Sequence, residues 1–95
     1  MNIKALHTIN KEVSAKPLFK GEIGSATVIQ LQENGILKEH ITKTPALLLC
    51  IVGKVIYQDE TEKIIELAGG DYVNIQPNIK HWLKGQSNSH LILLK

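Results

Sequence analysis

Arginine is missing from this chain: all eleven basic residues are lysine. Arginine's planar fork makes the bidentate contacts that read guanine and phosphate. With no arginine and no lysine cluster, nucleic acid is a poor partner. Cysteine is nearly missing as well. The single thiol, Cys50, cannot form an internal disulfide, which fits a reducing cytoplasm. No apolar run approaches the ~18 residues of a membrane-spanning helix, so no membrane partner is expected. The opening residues, MNIKALHTINKEV, lack both an uninterrupted apolar stretch and a small-residue cleavage site, so no secretory leader is expected. Aromatic residues make up only 4% of the chain, and the apolar mass is Ile, Leu and Val. That composition favours strands over helices.

What is present is a chain of 95 residues with a weak net charge of +2, sized for one small domain over 1–95. The first twenty residues read as loosely structured, with a short strand at Ile3–His7 and a Pro17 that breaks any helix begun at Asn10–Lys16. Glu22–Gln32 alternates as a strand, with Ala26, Val28 and Gln30 on one side and Thr27, Ile29 and Leu31 on the other. Glu33-Asn34-Gly35 is a turn with Asn-Gly at its tip. Strands are expected at Ile36–Lys43 and, after Thr44-Pro45, at Ala46–Val52, with Gly53 ending the run. Lys54–Gln58 and Lys63–Leu67 form a hairpin around Asp59-Glu60-Thr61-Glu62. Tyr72–Ile75, Ile79–Lys84 and Ser89–Leu94 complete about eight strands, the pattern of an all-β sandwich or barrel. The acidic hairpin tip lacks the Gly and the ligand spacing of a calcium loop.

The segment GGDYVNIQPNIKHW is the most specific. Gly70 and His81 stand eleven residues apart, with a turn, a short strand and a Pro-Asn turn between them. It resembles the second motif of the cupins, G-x5-P-x-G-x2-H-x3-N. Gln76-Pro77-Asn78 stands in place of Pro-x-Gly, and Gly85 in place of the final Asn. The first cupin motif, G-x5-H-x-H-x3,4-E-x6-G, places its first His on His40, its second on Thr42 and its Glu on Ala46, with Gly35 one residue off register. The chain therefore resembles a small single-domain cupin. The resemblance implies a double-stranded β-helix (jelly-roll) barrel with its core at about 35–95 and N-terminal strands at about 1–34. Of the usual three-His, one-Glu set it retains His40 and His81.

In a strand, residues i and i+2 share a face. If His40 points inward, so do Lys38 and Thr42. On the next strand Ala46, Leu48, Cys50 and Val52 share the inner face, and later Ile79, His81 and Leu83 do. The expected pocket is thus His40, Thr42, Ala46, Leu48, Cys50, His81 and Leu83, with the two imidazoles roughly 3–6 Å apart. Two histidines are fewer than a metal site normally has. If His40 and His81 hold an ion, Zn, Ni or Cu suits imidazole, and Cys50 is a candidate further ligand, although it reads more simply as a small core residue. The expected function is binding of an unidentified small molecule at a degenerate metal site. The alternatives are a metal-dependent isomerase, dioxygenase or lyase with an atypical ligand set, and a structural protein whose barrel merely packs. His7 and His90 read as exposed or structural. Leu47, Leu49, Ile51 and Trp82 face away from the pocket and are the candidates for a homodimer interface, which the resemblance also implies.

Overall fold

Alternating apolar residues separated by turn formers give this chain short strands throughout, and the computed structural model, which describes residues 1–7 and 11–95, contains nine. They are β1 (Val13–Lys20), β2 (Ser25–Leu31), β3 (Ile36–His40), β4 (Ala46–Val52), β5 (Lys54–Asp59), β6 (Ile64–Ala68), β7 (Tyr72–Ile75), β8 (His81–Gly85) and β9 (Ser89–Leu94). Two antiparallel sheets result, one in the order β1-β2-β9-β4-β7 and one in the order β3-β8-β5-β6. Their facing sides enclose a core that includes Leu31, Leu48, Val55, Tyr57, Leu83 and Leu91, each at most 1% exposed. No helix among the described residues is long and apolar enough to cross a membrane.

The N-terminal third departs most from the sequence expectation. Ile3–Leu6 is a 3-10 turn, not part of a strand, and the Asn2 side chain caps it by accepting the Lys4 N–H. The supposedly loose region contains the eight-residue β1, paired along its length with β2. Pro17 is tolerated there because β1 is an edge strand, where a missing N–H costs no ladder bond, and the register slips between Pro17 and Phe19. Asn10, where the considered helix would begin, lies outside the described residues. Both faces of β2 are buried: Ile29 and Leu31 against the core, Ala26 and Val28 on the other side.

Two turn residues carry the left-handed backbone that shapes the site. Gly70 has φ +92°, which glycine adopts without steric cost. Asn78, at the position where the motif has Gly, has φ +64°, and asparagine is among the few side chains that tolerate it. The Asn78 N–H donates to the Thr42 carbonyl (2.8 Å), tying the β7–β8 turn to the β3–β4 connection.

Candidate functional site

His40 ends β3 and His81 begins β8, and the two are direct cross-strand partners. A bulge makes this possible. Between the pairs Leu37–Leu83 and His40–His81, β3 advances three residues while β8 advances two. The extra residue resets the side-chain alternation, so Leu37 and His40 both turn inward despite their odd spacing. Lys38 does not share His40's face as simple parity required; it is exposed with Glu39 on the bulge. Val52 also leaves the inner face. The ladder of β4 on β9 slips between Cys50 and Val52, and Val52 is 42% exposed.

The imidazoles meet edge to face, with Nε2 3.0 Å from Nε2 and ring centroids 4.1 Å apart. Each Nδ1 lies on the carbonyl two residues earlier, His40 on Lys38 at 3.1 Å and His81 on Ile79 at 3.2 Å. A carbonyl oxygen only accepts, so each Nδ1 must carry the hydrogen. Both Nε2 atoms then present lone pairs to each other. Three contacts each need a hydrogen, and two neutral imidazoles supply two. The junction is completed by one further proton or by a cation. Burial holds His81 below the ordinary histidine pKa; the Ile79 carbonyl opposes this, and His40 adds to it. The extra positive charge is therefore disfavoured on the His81 ring itself.

Behind His81 stands a polar pair that the sequence reading missed. The Tyr57 ring stacks on His81 with centroids 6.0 Å apart and planes at 24°. Its hydroxyl donates to the Asp59 carboxylate at 2.9 Å, and Asp59 also accepts the Thr61 N–H at 2.9 Å. Burial and the adjacent carboxylate raise the Tyr57 pKa, so the phenol keeps its proton. Burial works against the Asp59 charge, but hydrogen bonds from Thr61 and Tyr57 outweigh it and hold the carboxyl below its usual range. The signal is the alternation Val55, Tyr57, Asp59 on one face of β5, masked in the sequence by the acidic residues Glu60 and Glu62 that follow. Asp59 is the last residue of the strand, opposite His81, and only 6% exposed.

The other expected pocket residues are buried. Ala46, Leu48, Cys50 and Leu83 belong to the packed core. The Cys50 Sγ lies 3.7 Å from the Val52 carbonyl and 3.8 Å from that of Gly53, at the far end of β4 from Ala46. Burial and Asp71 push its pKa up, so the thiol is a protonated core group. Thr42 is 2% exposed, and its hydroxyl has no hydrogen-bond partner among the described residues. Among those residues, no group of three His, Cys, Asp or Glu side chains is placed to hold a metal. Two imidazoles fall short of the three protein ligands of catalytic zinc, so this donor set suits weak capture of an ion, not a resident one.

Of the expected pocket residues, Ala46 and His40 border open space, on two different clefts: Ala46 lines one of about 570 Å³ with Pro45, Leu47 and Phe19, and His40 lines the other. His40 marks one side of a groove of about 520 Å³ between the edges of the two sheets, with Val13, Ala15, Ile29, Leu37 and Leu93 among its lining. His7 and His90 are buried on the outer side of the β1-β2-β9 sheet, 9% and 7% exposed. His7 Nδ1 meets the Ser14 hydroxyl at 2.8 Å and His90 Nε2 meets the Gln30 amide oxygen at 2.9 Å.

No model of a known protein family matches the sequence, and no curated protein matches it. Solved structures do match. A cupin superfamily protein from Desulfitobacterium hafniense DCB-2 superposes with a TM-score of 0.83 at 12% identity, over 94% of this chain and 81% of that one. A cupin-2 domain containing protein from Shewanella frigidimarina NCIMB 400 gives 0.80 at 12%, over 100% and 92%. A cupin-like protein from Thermotoga maritima MSB8 gives 0.74 at 23%, over 85% and 66%. At these identities the likeness carries the architecture and nothing finer: this chain has the cupin fold, a jelly-roll barrel of two antiparallel sheets.

Proposed function

We propose that this barrel binds a small molecule in the groove bordered by His40, with the His40–His81 pair as its polar anchor and a degenerate metal site. The observation that carries the reading is the junction of three contacts and two hydrogens beside an apolar groove. Ligand sites are typically apolar clefts of ~300–1,000 Å³ with a few convergent polar groups, and a groove of about 520 Å³ ending on His40 fits that description. The Tyr57–Asp59 pair behind His81 holds the anchor in a fixed orientation. The test is a fragment screen read by protein NMR. Binders should shift the His40 ring together with Leu37 and Leu93, and His40→Ala should weaken them at least about tenfold. A screen in which no fragment moves these signals overturns the reading.

One observation favours a second reading, a metal-dependent enzyme of isomerase, dioxygenase or lyase type with an atypical ligand set. Both bare Nε2 atoms converge, and both Nδ1–H groups are held by carbonyls, the outer-shell arrangement usual for metal-bound histidine. Elemental analysis after dialysis against Zn, Ni or Cu separates the two. Near one equivalent retained after dialysis, and lost in His40→Ala, favours the enzyme; release on dialysis favours the binding module.

Self-association is part of the proposal. Cross-strand partners share a face, so Leu47 with Leu94 and Leu49 with Tyr72 and Ile92 form one apolar stripe outside β9-β4-β7. Tyr72 and Leu94 are 59% and 43% exposed. Trp82 lies on the other sheet, half-buried, with its indole N–H on Gln58, so it does not join that stripe. A homodimer through the stripe should bury more than about 1,000 Å². Light scattering at micromolar concentration should give twice the chain mass, and Leu49→Lys should return it to one; a monomer mass for the unaltered chain overturns the dimer.

A further inference from the structure

The groove beside His40 has a charge character that its apolar lining does not dictate. Two lysines border it, Lys38 on the β3 bulge and Lys95 after β9, and no Asp or Glu is among the residues that line it. Glu39, next to Lys38, and Glu12, just before β1, are exposed and stand outside the lining. Neither lysine is neutralised by an ion pair: among the described residues the salt bridge is Lys54–Glu66. The rest of the lining is Val13, Ala15, Ile29, Leu37 and Leu93 with Thr27, Ile36 and His40. A neutral apolar ligand would draw nothing from the positive charge on this border. A cationic one would meet like charge on entry.

We infer that the ligand class of this groove is an apolar monoanion, a small carboxylate whose hydrocarbon body lies on Val13, Ile29, Leu37 and Leu93 and whose head group faces Lys38 and Lys95. This deepens the binding reading above and rests on it. The apolar body supplies the burial, since apolar surface removed from water favours binding. The lysines select the charge and speed encounter, an effect that salt screens over ~8–10 Å. Lysine suits this task at an exposed rim because its flexible stem follows a head group that is not rigidly fixed. The position of Lys38 is a product of the bulge. In a regular β3, Lys38 would point inward with His40; the bulge leaves His40 inward and Lys38 exposed at the border of the groove.

The experiment compares three probes of equal chain length on the whole protein: octanoate, octanol and octylamine. Binding is followed by NMR shifts of Leu37, Leu93 and the His40 ring, and by calorimetry at 20 and 300 mM salt. Octanoate should bind at least about tenfold more tightly than octanol, and octylamine most weakly. Lys38→Gln with Lys95→Gln should bring octanoate down to the level of octanol, with octanol unchanged. High salt should weaken octanoate only. Both lysines are exposed, so the variants should fold, and unchanged octanol binding verifies it. Equal binding of octanol and octanoate overturns the anion assignment and leaves the groove standing. No shift at Leu37, Leu93 or His40 with any probe overturns the groove reading and this inference together.

Discussion

The barrel contains two histidine pairs, and they are built differently. Inside, His40 and His81 touch nitrogen to nitrogen at 3.0 Å, and each is pinned by a backbone carbonyl. Outside, His7 and His90 stand with ring centroids 5.8 Å apart. Their partners are side chains, Ser14 and Gln30, and one nitrogen of each ring (His7 Nε2 and His90 Nδ1) is buried without a partner among the described residues. A carbonyl dictates a tautomer, whereas a hydroxyl or a carboxamide can turn to serve either one. The inner pair is thus fixed and short of one hydrogen, a state that a proton, an ion or a ligand relieves. The outer pair is adaptable and merely buried. It fastens His7, the residue after the Ile3–Leu6 turn, onto the sheet over Ser14 and His90. The same residue type therefore forms a carbonyl-pinned pair short of one hydrogen in one place and a structural clasp in the other.

The largest expected effect is common to both pairs and tests whether the clasp and the anchor are alike in proton affinity. Burial lowers the pKa of His7, His81 and His90, and Lys16 (at His7) and His7 with Lys4 (at His90) reinforce it. The folded chain therefore binds protons less readily than the unfolded one. Stability is fully present above the ordinary value of 6.5 and is lost as pH falls below it towards the lowered folded values. The contributions of the three histidines add, so urea unfolding should show a lower stability at pH 5 than at pH 7. Asp59 pulls the same way only at lower pH, where its own carboxyl titrates. His90→Gln and His81→Gln should each flatten the profile. A stability independent of pH over that range breaks the account of both pairs.

The next effect separates the members of the inner pair. His81 is 2% exposed and stacks on Tyr57, so His81→Ala opens a cavity and should cost about 2–4 kcal/mol, as large-to-small core changes do. His40 is half-buried on the groove, and His40→Ala should cost about 1 kcal/mol, chiefly from the His81 nitrogen left unpartnered. Thermal unfolding of both variants measures the difference. Equal costs would mean that His40 is core and does not border the groove.

How much of this could be read from residues alone differs along the chain. The pairing of His40 with His81 was legible, because turn-strand-turn spacing fixes His81 and motif position fixes His40. The bulge beneath His40 was not, since a one-residue slip is set by the partner strand β8 and leaves no local signature. Its one trace was Gly35 standing a residue out of register. The placement of Lys38 and Val52 failed for the same reason: period-2 parity holds only until a ladder slips. β1 was hidden by Pro17, whose meaning depends on whether the strand is central or at an edge, and that is a tertiary fact. Asp59 was hidden by its acidic neighbours Glu60 and Glu62, which make a strand terminus read as a solvated tip. The outer clasp had no sequence signal, because His7 meets a residue 83 positions away.

The smallest effects come from two hydroxyls that sharpen the contrast from either side. The Ser14 hydroxyl is 2.8 Å from His7 Nδ1, and Ser14→Ala leaves that buried nitrogen without a partner, a cost of about 1 kcal/mol. The Thr42 hydroxyl is just as buried and has no partner among the described residues. It was desolvated on folding with no hydrogen bond to offset the loss. Valine keeps the branched shape and replaces the hydroxyl with a methyl, which belongs in such surroundings. Thr42→Val should therefore stabilise the fold, by up to about 1 kcal/mol, while Ser14→Ala destabilises it. The backbone carbonyl of Thr42, which accepts the Asn78 N–H, is untouched by the change. Chemical denaturation of the two variants reads the opposite signs directly. A loss of stability in Thr42→Val would mean that the hydroxyl has a partner in solution.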